Sequence, residues 1–540
     1  MKNWLKSFCI AFCAASAFTT PPAAQAQIGS GGLGALDPWG RGYLARDEQT
    51  LPNTLWRASR AEDLLPLMKQ ARTRNLTPAE RSLLRRVVLS PGRSPSGDGA
   101  QSLLAERARL MFELGEAAAA ADLMGRLEES PEGIIAEELA VDLEFALGRV
   151  ATACEEVRDP ENTGDFWLRM RAICFALEGN QAGADLAIEL AQASDVRDEW
   201  LFAAITAAFN PDPDAPKPAA KFDTGYALTV SVLADLTVPV NSVGYSRPDL
   251  AAAMAKRSAL PPELRVLAAG VASEAALVTP TEQLDAYSAL LTQEDFRPNS
   301  PVEAALVSLA ERGSSNSERA RHIATALQAS RGSSARFYAV ARLLGPALKQ
   351  IEHSEETDRY TTTFASALMA TGDLETAETW ILANIDADEN GLNFEQLWIV
   401  GLNILMGVDP DGQYEGWAEA LLETTDNDAK QAAAVRLFTL LAGRNITLPP
   451  EARAFLVEHG EGIGSDSTSR ISAILAAAQA DAAGEAILNL LKVTDGDPSK
   501  VGAKDLIIIL QALDRLGLND TSNELALEAT GFWKTSLASE

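Results

Sequence analysis

Histidine is nearly absent from this chain of 540 residues: His322, His353 and His459 are all it has. They lie in separate segments and show neither His-Glu-x-x-His nor any other spacing by which adjacent helical turns hold zinc. No Gly-x-Ser-x-Gly, Ser-x-x-Lys or thiol-protease signature occurs, so the motif-bearing hydrolases are excluded. Cysteine is also scarce, at four. Cys9 and Cys13 fall in an apolar stretch near the start, which leaves Cys154 and Cys174. Beyond that stretch no run approaches the about 18 uncharged apolar residues of a membrane span; "DLIIIL" at 505–510 is the core of a buried helix. Positive charge is in deficit, with 46 Lys and Arg against 75 Asp and Glu. That balance argues against general affinity for nucleic acid or an anionic bilayer.

The start of the chain reads as an address. Lys2 and Lys6 precede the short apolar run "FCIAFCAASAF", and Ala24, Gln25 and Ala26 form a small-x-small cleavage site. This is the pattern of a secretory signal over residues 1–26, removed after Ala26. Neither Cys9 nor Cys13 sits in the Leu-x-small context of a lipid anchor. The expected product is exported to a periplasm and carries 44 bases against 75 acids, a net charge of −31. Residues 27–55 follow as a Gly-rich, extended segment. In it Gly29, Gly31 and Gly34 spell a dinucleotide fingerprint, but the strand and the helix that such a fingerprint needs on either side are missing.

What the chain has in quantity is Ala/Leu/Glu-rich amphipathic helix in segments of roughly 10–16 residues that end at Gly or Pro. A loose period runs through them. Gly115 is followed five residues later by Ala120, Gly148 by Ala153, Gly179 by Ala184 and Gly372 by Ala377, with a weaker echo around Gly517. Glycine ends a first helix cheaply in the left-handed conformation, and a small residue soon after lets a second helix pack closely on it. This pattern resembles tetratricopeptide-type helical repeats that keep the Gly and the first Ala while mostly losing the early Trp and Tyr. The stretches "LPNTLWRASRAEDLLPLM", "DFWLRMRAICFALEGN" and "LPPELRVLAAGVASEAAL" are also similar to exported helical-repeat proteins of proteobacteria. The resemblance implies an all-α fold, an α-solenoid of helical hairpins that buries its core by stacking neighbours. The Pro-rich "NPDPDAPKPAAKF" at 210–222 reads as a stiff linker. It divides an N-terminal array at 56–209 from a C-terminal one at 223–540.

Three features carry possible chemistry. Residues 56–93 hold nine Lys and Arg against three acids in an otherwise acidic chain. Arg72, Arg74, Arg81, Arg85 and Arg86 are candidates for gripping a carboxylate- or phosphate-bearing partner such as peptidoglycan; the alternative is pairing with acidic faces of the same molecule. In "DADENG", Asp386, Asp388 and Asn390 occupy the first alternate ligand positions of a calcium loop, with Gly391 at its turn. Leu397 stands where a bidentate Glu belongs, so the competing reading is an acidic turn between helices. Cys154 and Cys174 flank the turn "RDPENTG" between consecutive helices. Their spacing excludes a Cys-x-x-Cys redox pair, and an oxidising compartment favours a structural disulfide. "EES" at 128–130 supplies the Glu-Ser letters of a lysozyme-like lytic enzyme, but no Gly-Leu-Met-Gln-like partner follows.

The sequence thus leads to a periplasmic, non-catalytic scaffold or adaptor that binds a protein or peptide of a cell-envelope assembly, without a cofactor. A binder of peptidoglycan or another anionic glycan through residues 57–93 is the alternative. An enzyme whose site is assembled from distant segments is the third reading. Trp167, Trp200, Trp380, Trp398 and Trp417 fall inside helical patterns, most as core anchors and a minority as groove lining.

Overall fold

The computed structural model describes residues 37–540 except 128–130, 132–133, 211, 213–214, 240–242, 244–245, 295, 386–391, 409–415, 460–467 and 535–540. The expected signal at 1–26, the glycine fingerprint, the "EES" segment and the calcium loop therefore lie outside the described residues. Among those described, twenty-seven α-helices follow one another. No strand occurs there; a single isolated bridge joins Arg60 to Ser96. The fold is all-α. No described helix is long and apolar enough to cross a membrane.

The helices start and stop where local chemistry dictates. Thr77 and Thr279 each cap a helix in a reciprocal capping box, with Pro78 or Pro280 in the first turn and Glu80 or Glu282 returning the bond. The repeat glycines perform the turn expected of them. Gly115, Gly148, Gly179, Gly372 and Gly517 all have φ between 71° and 91° and each separates two consecutive helices. Five residues on, Ala120, Ala153, Ala184, Ala377 and Ser522 have no exposed surface. Consecutive helices pack on one another along the chain, as Asp165–Leu177 does on Gln181–Ala193.

Residues Pro38–Glu540 form one compact unit, and its buried core is divided unlike the sequence. One cluster runs from Val141 to Ala286. Ala220 and Phe222, at the end of the Pro-rich stretch, are buried in it, and the Ala220 N–H donates to the Thr237 carbonyl at 3.0 Å. The second and larger cluster joins both ends of the chain, from Trp39 through Leu139 and from Tyr287 through Trp533, and takes in Val266 from the middle. Residues 38–55, expected to be merely extended, supply Trp39, Leu51 and Leu55 to that core.

The ends meet along a seam. Helices Ala61–Lys69 and Pro78–Leu89 pack on Ala483–Thr494, and Pro78–Leu89 also packs on Asn519–Ala529. The Gly484 N–H donates to the Leu55 carbonyl at 3.1 Å, and the Ala79 N–H to the Glu528 carboxyl at 2.9 Å. The Ser59 hydroxyl donates to Glu485 at 2.6 Å. Glu80, buried at the same place, accepts from the Thr494 hydroxyl and from the Gly496 N–H.

Cys154 and Cys174 lie on helices Val150–Val157 and Asp165–Leu177 with their Cα atoms 5.6 Å apart and their sulfurs bonded. Both are buried among the residues of the smaller cluster. Their separation of 20 residues makes the cross-link worth about 3 kcal/mol in the chain-entropy account. Replacing both by Ser is expected to lower the urea-unfolding free energy of the oxidised protein by that amount. Wild-type protein denatured without reductant should take up no alkylating label at these two positions.

Candidate functional site

A cleft of about 560 Å³ lies in the C-terminal part. Its walls come from helices Phe394–Leu405 and Asp428–Gly443, the end of Pro450–His459, and residues 530–534 after the last helix. Each wall follows from local sequence. Asn393 caps the first helix in a box with Gln396, which places Trp398 and Ile399 on the inner side, where they are 8% and 2% exposed. Asn427 caps the second, whose run Ala429, Ala432 and Ala433 leaves open space facing those large side chains. Phe532 closes the far side, edge-on to Phe337 and to Tyr338 with ring centres 5.9 Å away in both cases.

Polar groups of both signs line this apolar trough. Arg331, the residue that ends helix Asn316–Ser330, reaches the Thr363 hydroxyl at 3.4 Å, and its Nε is buried without a partner. Burial pulls its pKa below the ordinary arginine value, while Glu395 across the trough acts in the other direction. The indole N–H of Trp398 is likewise buried and unpartnered. The Gln431 amide donates to Nδ1 of His459 at 2.6 Å, and the imidazole rests on Phe455 with ring centres 4.5 Å apart. Arg436 has a structural duty. It donates to the carbonyls of Ala529, Val501 and Pro498 at 2.5, 2.9 and 2.9 Å, and burial lowers its pKa to about 10. Lys534 pairs with Asp497 at 3.0 Å at one end. A trough with an apolar floor and separated donors and acceptors along its edges suits a segment of peptide, whose backbone presents both.

The arginines singled out from sequence are dispersed. Arg72 donates to the Asp495 carbonyl at 2.8 Å and pairs with its carboxylate at 3.3 Å. Arg86 binds the Gln49 carbonyl and the Thr521 hydroxyl. Arg85 is clamped between Glu48 and Glu116. Arg74 is on the surface. Arg81 and Arg85 line a second hollow of about 790 Å³ enclosed between the beginning, middle and end of the chain. This hollow and the cleft share a wall, because Tyr338 faces one and its neighbour Phe532 the other.

The histidines do not converge. His353 stacks on Trp380 at 3.8 Å, His459 is in the cleft, and His322 lies beside Arg321. No group of three or more metal-ligating side chains occurs among the described residues. Sequence reasoning named Trp398 and His459 without placing them together, and missed Arg331 and Phe532 altogether. Both belong to turns just beyond helix ends, where periodicity gives no signal. No family model matches the chain, and neither a curated protein nor a solved structure matches it.

Proposed function

We propose that this protein is a non-catalytic scaffold or adaptor of the cell envelope, exported to the periplasm and built as a solenoid of helical hairpins. It takes an extended peptide segment of a partner protein into the C-terminal cleft. The observation that supports this reading is the trough's composition: Trp398, Ile399 and Phe532 form an apolar floor opposite an alanine-lined helix, with Arg331, Glu395, Asp428 and His459 spaced along the edges. Side chains of the peptide fill the floor, and its backbone and charged groups meet the edges.

The test is site-specific photo-crosslinking in the exporting cell. A benzoylphenylalanine at Ala432, inside the cleft, is expected to give a discrete protein adduct. The same group at Leu267, which is 58% exposed on a helix outside the cleft, is expected to give none. A second substitution, Ala433→Arg, should abolish the adduct by filling the trough. An Ala432 position that yields no adduct above the Leu267 background would overturn the proposal.

A further inference from the structure

The enclosed hollow between the chain's ends carries chemistry that a peptide-binding cleft does not use. Its volume of about 790 Å³ falls within the range of roughly 300–1,000 Å³ typical of small-molecule sites. Three arginines line it, and they are treated differently. Arg85 is neutralised by Glu48 and Glu116. Arg81 and Arg342 have no carboxylate within ion-pair distance among the described residues. Arg81 makes one long bond to the Thr73 carbonyl at 3.4 Å, and its Nε has no partner. Arg342 donates to the Ser273 carbonyl at 3.1 Å. A guanidinium carries more donors than one carbonyl can use.

Of the acids that line it, Asp47 is exposed at the rim, and Glu48 and Glu116 are paired with Arg85, with Glu116 also acting on Arg81 from beyond ion-pair distance. Glu274 is held by Arg336 at 2.9 Å. Burial pushes the carboxyls of Glu524 and Glu528 above the usual range, with Asp520 adding to the first and Glu80 and Glu524 to the second. One oxygen of Glu528 accepts the Ala79 N–H and the other has no partner. The Tyr338 hydroxyl, deep in the same wall, is also held protonated by burial. Guanidinium and phenol are both donors. A half-buried guanidinium that makes no ion pair and has unused donors is an arrangement that a bound anion relieves.

We propose that this hollow binds a small organic anion, whose carboxylate or phosphate oxygens are held by the guanidiniums of Arg81 and Arg342. The site is separate from the cleft, although Tyr338 and Phe532 put the two occupants on opposite sides of one aromatic wall.

The test uses the full chain and thermal-shift titrations with citrate, inorganic phosphate, glucose as a neutral control, and sodium chloride at matched ionic strength. Citrate, phosphate or both are expected to raise the melting temperature saturably. A response to citrate alone assigns a carboxylate ligand, and one to phosphate alone assigns a phosphate ester. Arg81→Gln and Arg342→Gln should each weaken the responding anion by about tenfold, the value of one charge-assisted bond. Arg81→Met should leave the ligand-free melting temperature unchanged or raised, since no ion pair is lost. Should Arg342→Gln fail to fold, Arg342→Lys, which keeps the charge and loses the planar fork, is expected to weaken binding in its place. The proposal is overturned if neither anion exceeds the matched salt, or if the substituted proteins respond as the wild type does.

Discussion

Trp56→Ala is expected to cost about 3–5 kcal/mol and to loosen both ends of the chain together. Trp56 has no exposed surface and meets Trp39 edge-on, with ring centres 6.3 Å apart. Its indole fills space that two glycines leave vacant. A Cβ on Gly92 would lie 2.8 Å from the ring, and one on Gly484 would lie 2.2 Å from it. The indole N–H has no hydrogen-bond partner, so truncation forfeits no bond and the loss is one of packing and of the cavity left behind. The backbone bond from Gly484 to Leu55 sits beside that cavity. Urea unfolding reads the magnitude. Hydrogen exchange reads the location: protection should fall in Ala61–Lys69 and in Ala483–Thr494, hundreds of residues away, and hold in the cluster around the disulfide. A loss of less than about 1 kcal/mol, the size of an ordinary surface change, would mean that the seam does not depend on this ring.

The same seam is expected to make the protein less stable as pH rises above the ordinary glutamate range. Glu528 is fully buried, and its pKa is raised well above the usual value. Burial is the first cause; Glu80 and Glu524 add to it, while the bonds from Thr77 and Ala79 oppose it. Glu80 is raised as well, again mainly by burial. Because the folded state holds these protons more tightly than the unfolded chain, the stability they confer is complete below the unfolded pKa. It is lost as pH climbs through the folded values. Each proton at stake contributes a slope of about 1.4 kcal/mol per pH unit in that window. Carboxylates such as Glu48 and Glu282, whose pKa values are lowered by cationic neighbours, impose the opposite slope at acid pH. Glu528→Gln separates the two effects, because an amide keeps the acceptor for Ala79 and cannot ionise. Its stability relative to wild type should rise with pH between about 5 and 8, measured by urea unfolding at several pH values. A difference that does not change over that interval would show that Glu528 is not the titrating group.

The class of fold was legible because helical periodicity and glycine stops are local signals. The glycine-and-alanine device located five hairpins correctly, yet it undercounted them. Asp195, Asp235, Ala276, Asn445 and Asp481 adopt the same left-handed turn with φ between 49° and 60°, and a search for glycine passes over them. At Asp481 even the small residue five positions on is kept, as Ala486. The disulfide was legible for the same reason, since it spans one turn. The seam was not. Trp56 and Gly484 are more than four hundred positions apart, and nothing in either local pattern names the other. Arg81 looked like part of a surface charge run because sequence shows the run but not the end of the chain that covers it. The cleft was invisible on the same ground, for its arginine and phenylalanine come from turns brought together only by packing.

A stack of repeats normally leaves two raw faces that need polar capping units, and it tolerates duplication because each unit touches only its neighbours. Here the first helices serve as the cap of the last, and the last as the cap of the first. One extra hairpin would carry Gly484 away from Trp56 and Glu528 away from Ala79, and one fewer would do the same. The contacts between the two ends therefore depend on the number of helices that lie between them.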